Sequence, residues 1–149
     1  MLDVDDILSA IWKKQNADAT IKGADYLNGT TKIVKGPTRP KESTNPQMTI
    51  TFNGDVGKVS TFVTGEVQLT VFTDANANGT ANTALMGRIL KRGTDLLQAK
   101  VGSASWSEDN VKIFGTFPSV PPVGPLDNPD REGEFFMATR IFLTAILIP

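Results

Sequence analysis

The residues best placed to do chemistry lie in TDANANGTANTALMGRIL, residues 73–90. Here Asp74, Asn76, Asn78 and Gly79 take positions one, three, five and six of a calcium-binding loop. Such a loop also needs a bidentate carboxylate at position twelve, because one aspartate and a few amides supply too little charge to hold the ion. Position twelve is Leu85, position nine is Asn82, and the stretch follows a strand pattern where a calcium loop follows a helix. Closely spaced Asp and Asn are also ordinary turn chemistry, since their side chains bond the nearby backbone. We therefore read Asp74, Asn76 and Asn78 as a turn without a metal, with Asn78, Thr80 or Asn82 capping the helix that begins there.

Other chemistries have less to work with. The chain holds no Cys and no His. Disulfides, thiolate nucleophiles and sulfur-ligated zinc are excluded, and so is the usual general base of hydrolytic triads. Carboxylates pair in sequence at Glu108 and Asp109, at Asp127 and Asp130, and at Glu132 and Glu134. All lie in loop or strand-edge sequence, where solvated charge is the ordinary state. No glycine-rich loop ends in Lys followed by Ser or Thr, so a phosphate cradle of that kind has no support. Lys32, Lys35, Arg39 and Lys41 cluster around a proline-rich stretch, but Asp25 and Glu42 offset them and no aromatics are interleaved for base stacking. The expectation is no catalysis and no cofactor.

Several elements must position these residues. With 149 residues, 40% of them hydrophobic and a net charge of -1, the chain has room for one core in one domain. Val4, Ile7, Leu8, Ile11 and Trp12 recur at helical spacing behind Asp3, which predicts a helix over 4–16. The opening residues carry Asp3, Asp5 and Asp6 where a signal peptide carries positive charge, so the expectation is retained structure. A short strand follows at 31–36, then a loop at 36–46 with three prolines. Strands are predicted at 47–55, with a hairpin connection near Gly54 to Gly57, and at 59–73. In the latter Val63, Val67, Leu69 and Val71 share one face against Glu66, Gln68 and Thr70, with Phe62 and Phe72 as exceptions and Gly65 as a bulge or bend.

From Met86 to Leu97 the period lengthens to three and four, predicting a helix over 81–99. Gly93 falls on its apolar stripe, which implies close approach to a strand. A weak segment at 101–107 carries Trp106. A strand at 110–117, a proline-rich loop at 118–133 and a last strand at 134–147 complete the chain. In that last strand Phe135, Met137, Ile141, Leu143 and Leu147 share one face, while Phe136, Ala138, Phe142 and Ile146 make the other nearly as apolar, with Arg140 among them. A strand covered on both faces is central in its sheet or covered by another subunit. The final apolar run is too short to span a bilayer as a helix and is rich in strand formers, so no membrane anchor is expected. The predicted fold class is α+β, a mostly antiparallel sheet with two helices packed on one face.

Taken in order, the leading helix VDDILSAIW, the strand VQLTVF with its short connection to the helix ALMGRILKRGTDLLQ, the strand FGTFPSVPP and the turn and strand DREGEFFMATRIFLTAIL resemble the tail terminator proteins of long-tailed bacteriophages. The resemblance covers nearly the whole chain as a pattern of elements. It implies a structural virion protein at the tail-neck region, assembled in the host cytoplasm, that closes into a homo-oligomeric ring, typically a hexamer, on the end of the tail tube. Such a ring stops tube polymerisation and offers a surface to the head connector or stopper. Its partners are then itself, the tail tube protein and the head connector, while DNA passes through the lumen unbound, which suits a near-neutral chain.

On that reading the candidate interface residues are Lys35, Arg39, Lys41, Glu66, Asp130, Arg131, Glu132, Phe136, Arg140 and Phe142. The long loops at 36–46 and 118–133 are expected to reach neighbouring rings and to order on assembly, with residues 119–129 removable without loss of folding. The alternatives are another phage neck protein, either a head completion protein or a connector adaptor, or a small enzyme or calcium-binding module built on carboxylates and the Asp74 loop.

Overall fold

The computed structural model describes residues 2–41, 43–54, 62–98 and 105–148. Helix α1, Val4–Asn16, begins where the periodicity places it. The Asp3 side chain accepts from the Asp6 amide at 2.8 Å and the Asp6 side chain from the Asp3 amide at 3.1 Å. This closes a capping box, and Lys13 and Lys14 in the last turn complement the helix dipole. Ile7, Ala10, Ile11 and Gln15 form its buried stripe. Helix α2, Thr83–Leu97, is capped by Asn82, whose side chain accepts from the Leu85 amide at 3.3 Å, and buries Met86, Ile89, Leu90, Gly93 and Leu97.

Six strands complete the described residues: β1 Ile33–Lys35, β2 Gln47–Gly54, β3 Phe62–Asp74, β4 Ser105–Glu108, β5 Val111–Asp127 and β6 Glu134–Leu147. They form one sheet in the order β1-β2-β3-β6-β5-β4. Both helices pack on the face that carries Met48, Ile50, Val67, Leu69, Val71, Ile113, Ile141 and Leu143, all buried. The class is α+β, but the sheet is mixed: β1 pairs with β2 in parallel and the other neighbouring pairs are antiparallel. A parallel pair needs a crossover connection of about a dozen residues to return the chain to its starting end. Residues 36–46 are that crossover, which gives the length of this segment a topological cause.

The second expected loop is a correction. Most of 118–133 is strand, because β5 runs on to Asp127 and only 128–133 turn the chain into β6. The prolines are accommodated by register shifts. Phe114, Phe117, Val120, Val123 and Leu126 pair with Thr144, Phe142, Arg140, Ala138 and Phe136, so β5 advances three residues for each two of β6 over much of its length. Such bulges admit residues that cannot donate to the ladder. Residues 119–129 are thus largely ladder, not a removable loop. On its outer side β5 meets β4 from Val111 to Phe114, the limit of that pairing among the described residues.

Three smaller differences have local causes. Gly65 is not a bulge, since β3 keeps unbroken register with β6 through it. A Cβ there would lie 2.5 Å from the Asn53 carbonyl oxygen and 2.6 Å from the Gly54 Cα, so close approach to β2 explains the glycine. Trp106 lies in β4, and its indole N–H donates to the Leu97 carbonyl at 2.9 Å, closing the end of α2. The hairpin expected near Gly54 to Gly57 and the start of the strand expected at 59 fall outside the described residues. Among the described residues, no helix is long and apolar enough to cross a membrane.

Candidate functional site: the helix-free face of the sheet

Among the described residues the two helices leave one sheet face uncovered, and strand alternation decides what it carries. From β3 it receives Glu66, Gln68, Thr70 and Phe72, and from β6 Phe136, Ala138, Arg140 and Phe142. The doubly apolar pattern of β6 therefore has both of its causes. The strand is central, between β3 and β5, and its second face lies half-buried with no helix over it.

Two aromatic pairs mark this face. Phe117 stacks on Phe142 with ring centroids 4.9 Å apart, yet stays 51% exposed, and Val123 and Leu126 further along β5 are 51% and 48% exposed. At the other end Phe72 packs against Phe136 at 6.1 Å. Between them the polar residues pair with one another. Ser119 donates to Glu66 at 2.7 Å, and Arg140 donates to Gln68 at 3.1 Å.

The Phe72 end is closed by an ion-pair network that spans most of the chain. Arg39, in the crossover, lays its guanidinium over the Phe72 ring at 3.6 Å and donates to both Glu134 oxygens, at 2.7 and 3.0 Å. Asn45 and Asn128 also donate to Glu134, at 2.7 and 2.6 Å, and Arg131 lies at 3.4 Å. Burial alone would push the Glu134 carboxyl up. The hydrogen bonds from Arg39, Asn45 and Asn128, with the Arg39 charge, outweigh it and hold the group down at about 2. A carboxylate so saturated with donors is an anchor for chain segments. It has neither a free lone pair directed at a substrate nor a proton to exchange near neutrality.

The expected interface residues thus divide. Arg39 and Arg131 are brought together around Glu134 and turned inward, with the Arg39 side chain only 10% exposed. Lys41 is exposed, and its carbonyl accepts from Arg131 at 3.3 Å. Glu66, Phe136, Arg140 and Phe142 share the uncovered face. Asp130 and Glu132 are exposed in the turn before β6, and Lys35 is distant, donating to Ser9 at 3.0 Å at the end of β1. The crossover is fastened to its own sheet through Arg39 and Asn45.

The Asp74 stretch behaves as a turn with a cap. Asn78 accepts from the Thr80 amide at 3.2 Å and hydroxyl at 2.6 Å, Asn76 donates to Thr80, and Asp74 accepts from Asn45 at 2.8 Å. Near it a cleft of about 310 Å³ is lined by Ser43, Thr44, Asn45, Asp74, Arg131, Glu132 and Glu134. Of the carboxylate pairs, Glu132 and Glu134 separate, one exposed and one buried, while Asp109 pairs with Lys13.

Sequence reasoning missed Glu134 as a hub, and with it Asn45 and Asn128. The available signal was Phe72, an aromatic on an otherwise polar strand face that needed a cover. It also missed Phe117, Val123 and Leu126, which with Val120 recur every three residues but are hidden among prolines.

No protein-family model matches the chain, and no curated protein matches it in sequence. In fold it is similar to a chain of a structure described as "Virion of native gene transfer agent (GTA) particle", with a TM-score of 0.58 and 12% identity over 95% of this chain and 94% of that one. At this identity the likeness is one of fold.

Proposed function

From a fold shared over nearly its whole length with a chain of a gene transfer agent virion, we propose that this protein is a structural subunit of a virion of the bacteriophage type. The full-length extent of that likeness is the observation that carries the reading. On the finer scale we assign it to the tail-neck region, as a tail terminator: a ring on the end of the tail tube that stops tube growth and offers the joining surface for the head connector. The resemblance of the chain's order of elements to tail terminators supports that role, and the uncovered face supplies what a subunit contact uses, apolar side chains exposed beside polar ones that are already paired. In this role the protein catalyses nothing, holds no cofactor and lets DNA pass without specific contacts.

The test is reconstitution. Purified protein is added to polymerising tail tube protein, tube lengths are measured by electron microscopy, and native mass spectrometry counts the subunits on capped ends. A terminator shortens the tubes and leaves closed rings of about six subunits at their ends. Unchanged tube lengths, with the protein bound instead to head connectors, would move it to another neck position. Binding to neither component overturns the virion reading.

A further inference from the structure

Among the described residues of 37–45, Arg39 lies over the Phe72 ring, against which Phe136 packs. Their attachment is unusual in kind. From Pro37 to Pro46 the described residues form a single backbone-to-backbone hydrogen bond, from the Ser43 amide to the Pro40 carbonyl. Everything else that holds the segment runs through side chains. Arg39 reaches Glu134 and the Phe72 ring, Ser43 donates to Gln47 at 2.9 Å, and Asn45 donates to Glu134 and Asp74. Lys32 donates to the Thr44 carbonyl at 2.7 Å, and Arg131 holds the Lys41 carbonyl. A segment without ladder bonds opens without breaking the sheet, at the cost of its side-chain contacts alone.

What lies beneath is apolar and continuous with exposed surface. Phe136 pairs across the ladder with Leu126, and Ala138 with Val123, and these lead to Phe117 and Phe142. With the segment in place, Arg39 roofs the Phe72 ring and ends this strip. With it lifted, the strip would extend from Phe142 to Phe72.

We propose that residues 37–45 are a releasable strap, latched by Glu134, that covers the Phe72 and Phe136 end of an apolar strip on the helix-free face. The latch is a carboxylate in β6, while the strap joins β1 to β2, so opening separates elements that remain paired within the sheet. Release needs a competitor for Arg39, for which an acidic side chain of another protein has the right chemistry.

Hydrogen exchange on the wild-type chain tests the strap first. The readout is the side-chain N–H groups of Arg39 and Asn45, which donate to Glu134: their protection against exchange should be lost through local opening, roughly tenfold or more faster than that of the β3 and β6 amides, which open only on global unfolding. Equal protection in the strap and the central strands overturns the proposal. Glu134→Gln should then accelerate strap exchange by a further ten- to a hundredfold, the range expected on losing charge-assisted bonds. The same variant should bind a hydrophobic fluorescent dye through Phe72 and Phe136, and Phe72→Ser in that background should remove the added signal. Faster exchange without dye binding would show that nothing is uncovered, and would overturn the strap as a cover. If Glu134→Gln does not fold, Asn45→Ala, which removes one donor and leaves the ion pair, carries the same comparison. Unaltered exchange there, with the wild-type strap protected like the core, has the same negative meaning.

Discussion

The packing of α2 on the sheet makes opposite predictions for two glycines of the same helix. Gly87 and Gly93 both lie within Thr83–Leu97, and each weakens the helix by about 1 kcal/mol relative to alanine. At Gly87 nothing lies within 4 Å of an added Cβ, so Gly87→Ala should stabilise by that ~1 kcal/mol. At Gly93 the same methyl would meet Leu69 Cδ1 at 2.9 Å, with Gln15 Oε1 and Met48 Sδ at 3.5 Å. Leu69 is fully buried, so its displaced methyl has no empty volume to enter. Overpacking of this kind costs about 1–3 kcal/mol, which leaves Gly93→Ala between roughly neutral and 2 kcal/mol destabilising. The two variants should therefore differ by about 1–3 kcal/mol. In a domain this size each kcal/mol moves Tm by about 2–4 °C, so the separation is measurable. Urea unfolding followed by circular dichroism, with the slope unchanged, gives the difference from the midpoints. If Gly93→Ala proves as stable as Gly87→Ala, the close approach of α2 to β3 is refuted.

The remaining predictions concern charge and one long-range hydrogen bond. The Glu134 carboxyl is held at about 2 against an ordinary 4.5, so its ion pairing stabilises the fold fully above the unfolded value and is lost as pH falls through the folded one. Stability should fall between about pH 4.5 and 2, by about 3 kcal/mol from this group, with Asp18, also lowered by its bond to Arg92, contributing in the same direction. Acid denaturation of Glu134→Gln should lack the Glu134 share, and a pH profile identical to wild type would contradict the network. Trp12 donates its indole N–H to the Ile33 carbonyl at 2.9 Å, tying α1 to β1, so Trp12→Phe should lower stability by about 1 kcal/mol in the same unfolding assay. No measurable loss would show that the bond is not formed in solution.

What could be read from the chain follows the range of the interactions involved. The limits of α1 and β6 come directly from local pattern: an aspartate cap before a helical stripe, and a long apolar run after a charged turn. The buried face of β3 is legible for the same reason. Its alternation survives in Val67, Leu69 and Val71 whatever strand lies beside it. The rest depends on partners distant in sequence. Arg39 and Glu134 meet across 95 residues, and each taken alone is ordinary surface charge. The parallel pairing of β1 is set by where the crossover returns, and three residues do not encode it. Four-residue β4 is too short to show a period. The second half of β5 was concealed because proline reads as a breaker, whereas a bulged strand with one unpaired side accepts it.

The same prolines govern what the molecule does in a crowded solution. Four of the eight positions from Pro118 to Pro125 carry no N–H, and among the described residues β4 pairs with β5 only from Val111 to Phe114. A strand from another molecule approaching that margin would find acceptors with few donors between them, and could not zip onto it. At that margin a contact with another molecule is then left to side chains, where size and charge select the partner, and not to the backbone, which would accept any extended chain. That stretch of the sheet margin is thereby a poor template for polymerisation by strand addition.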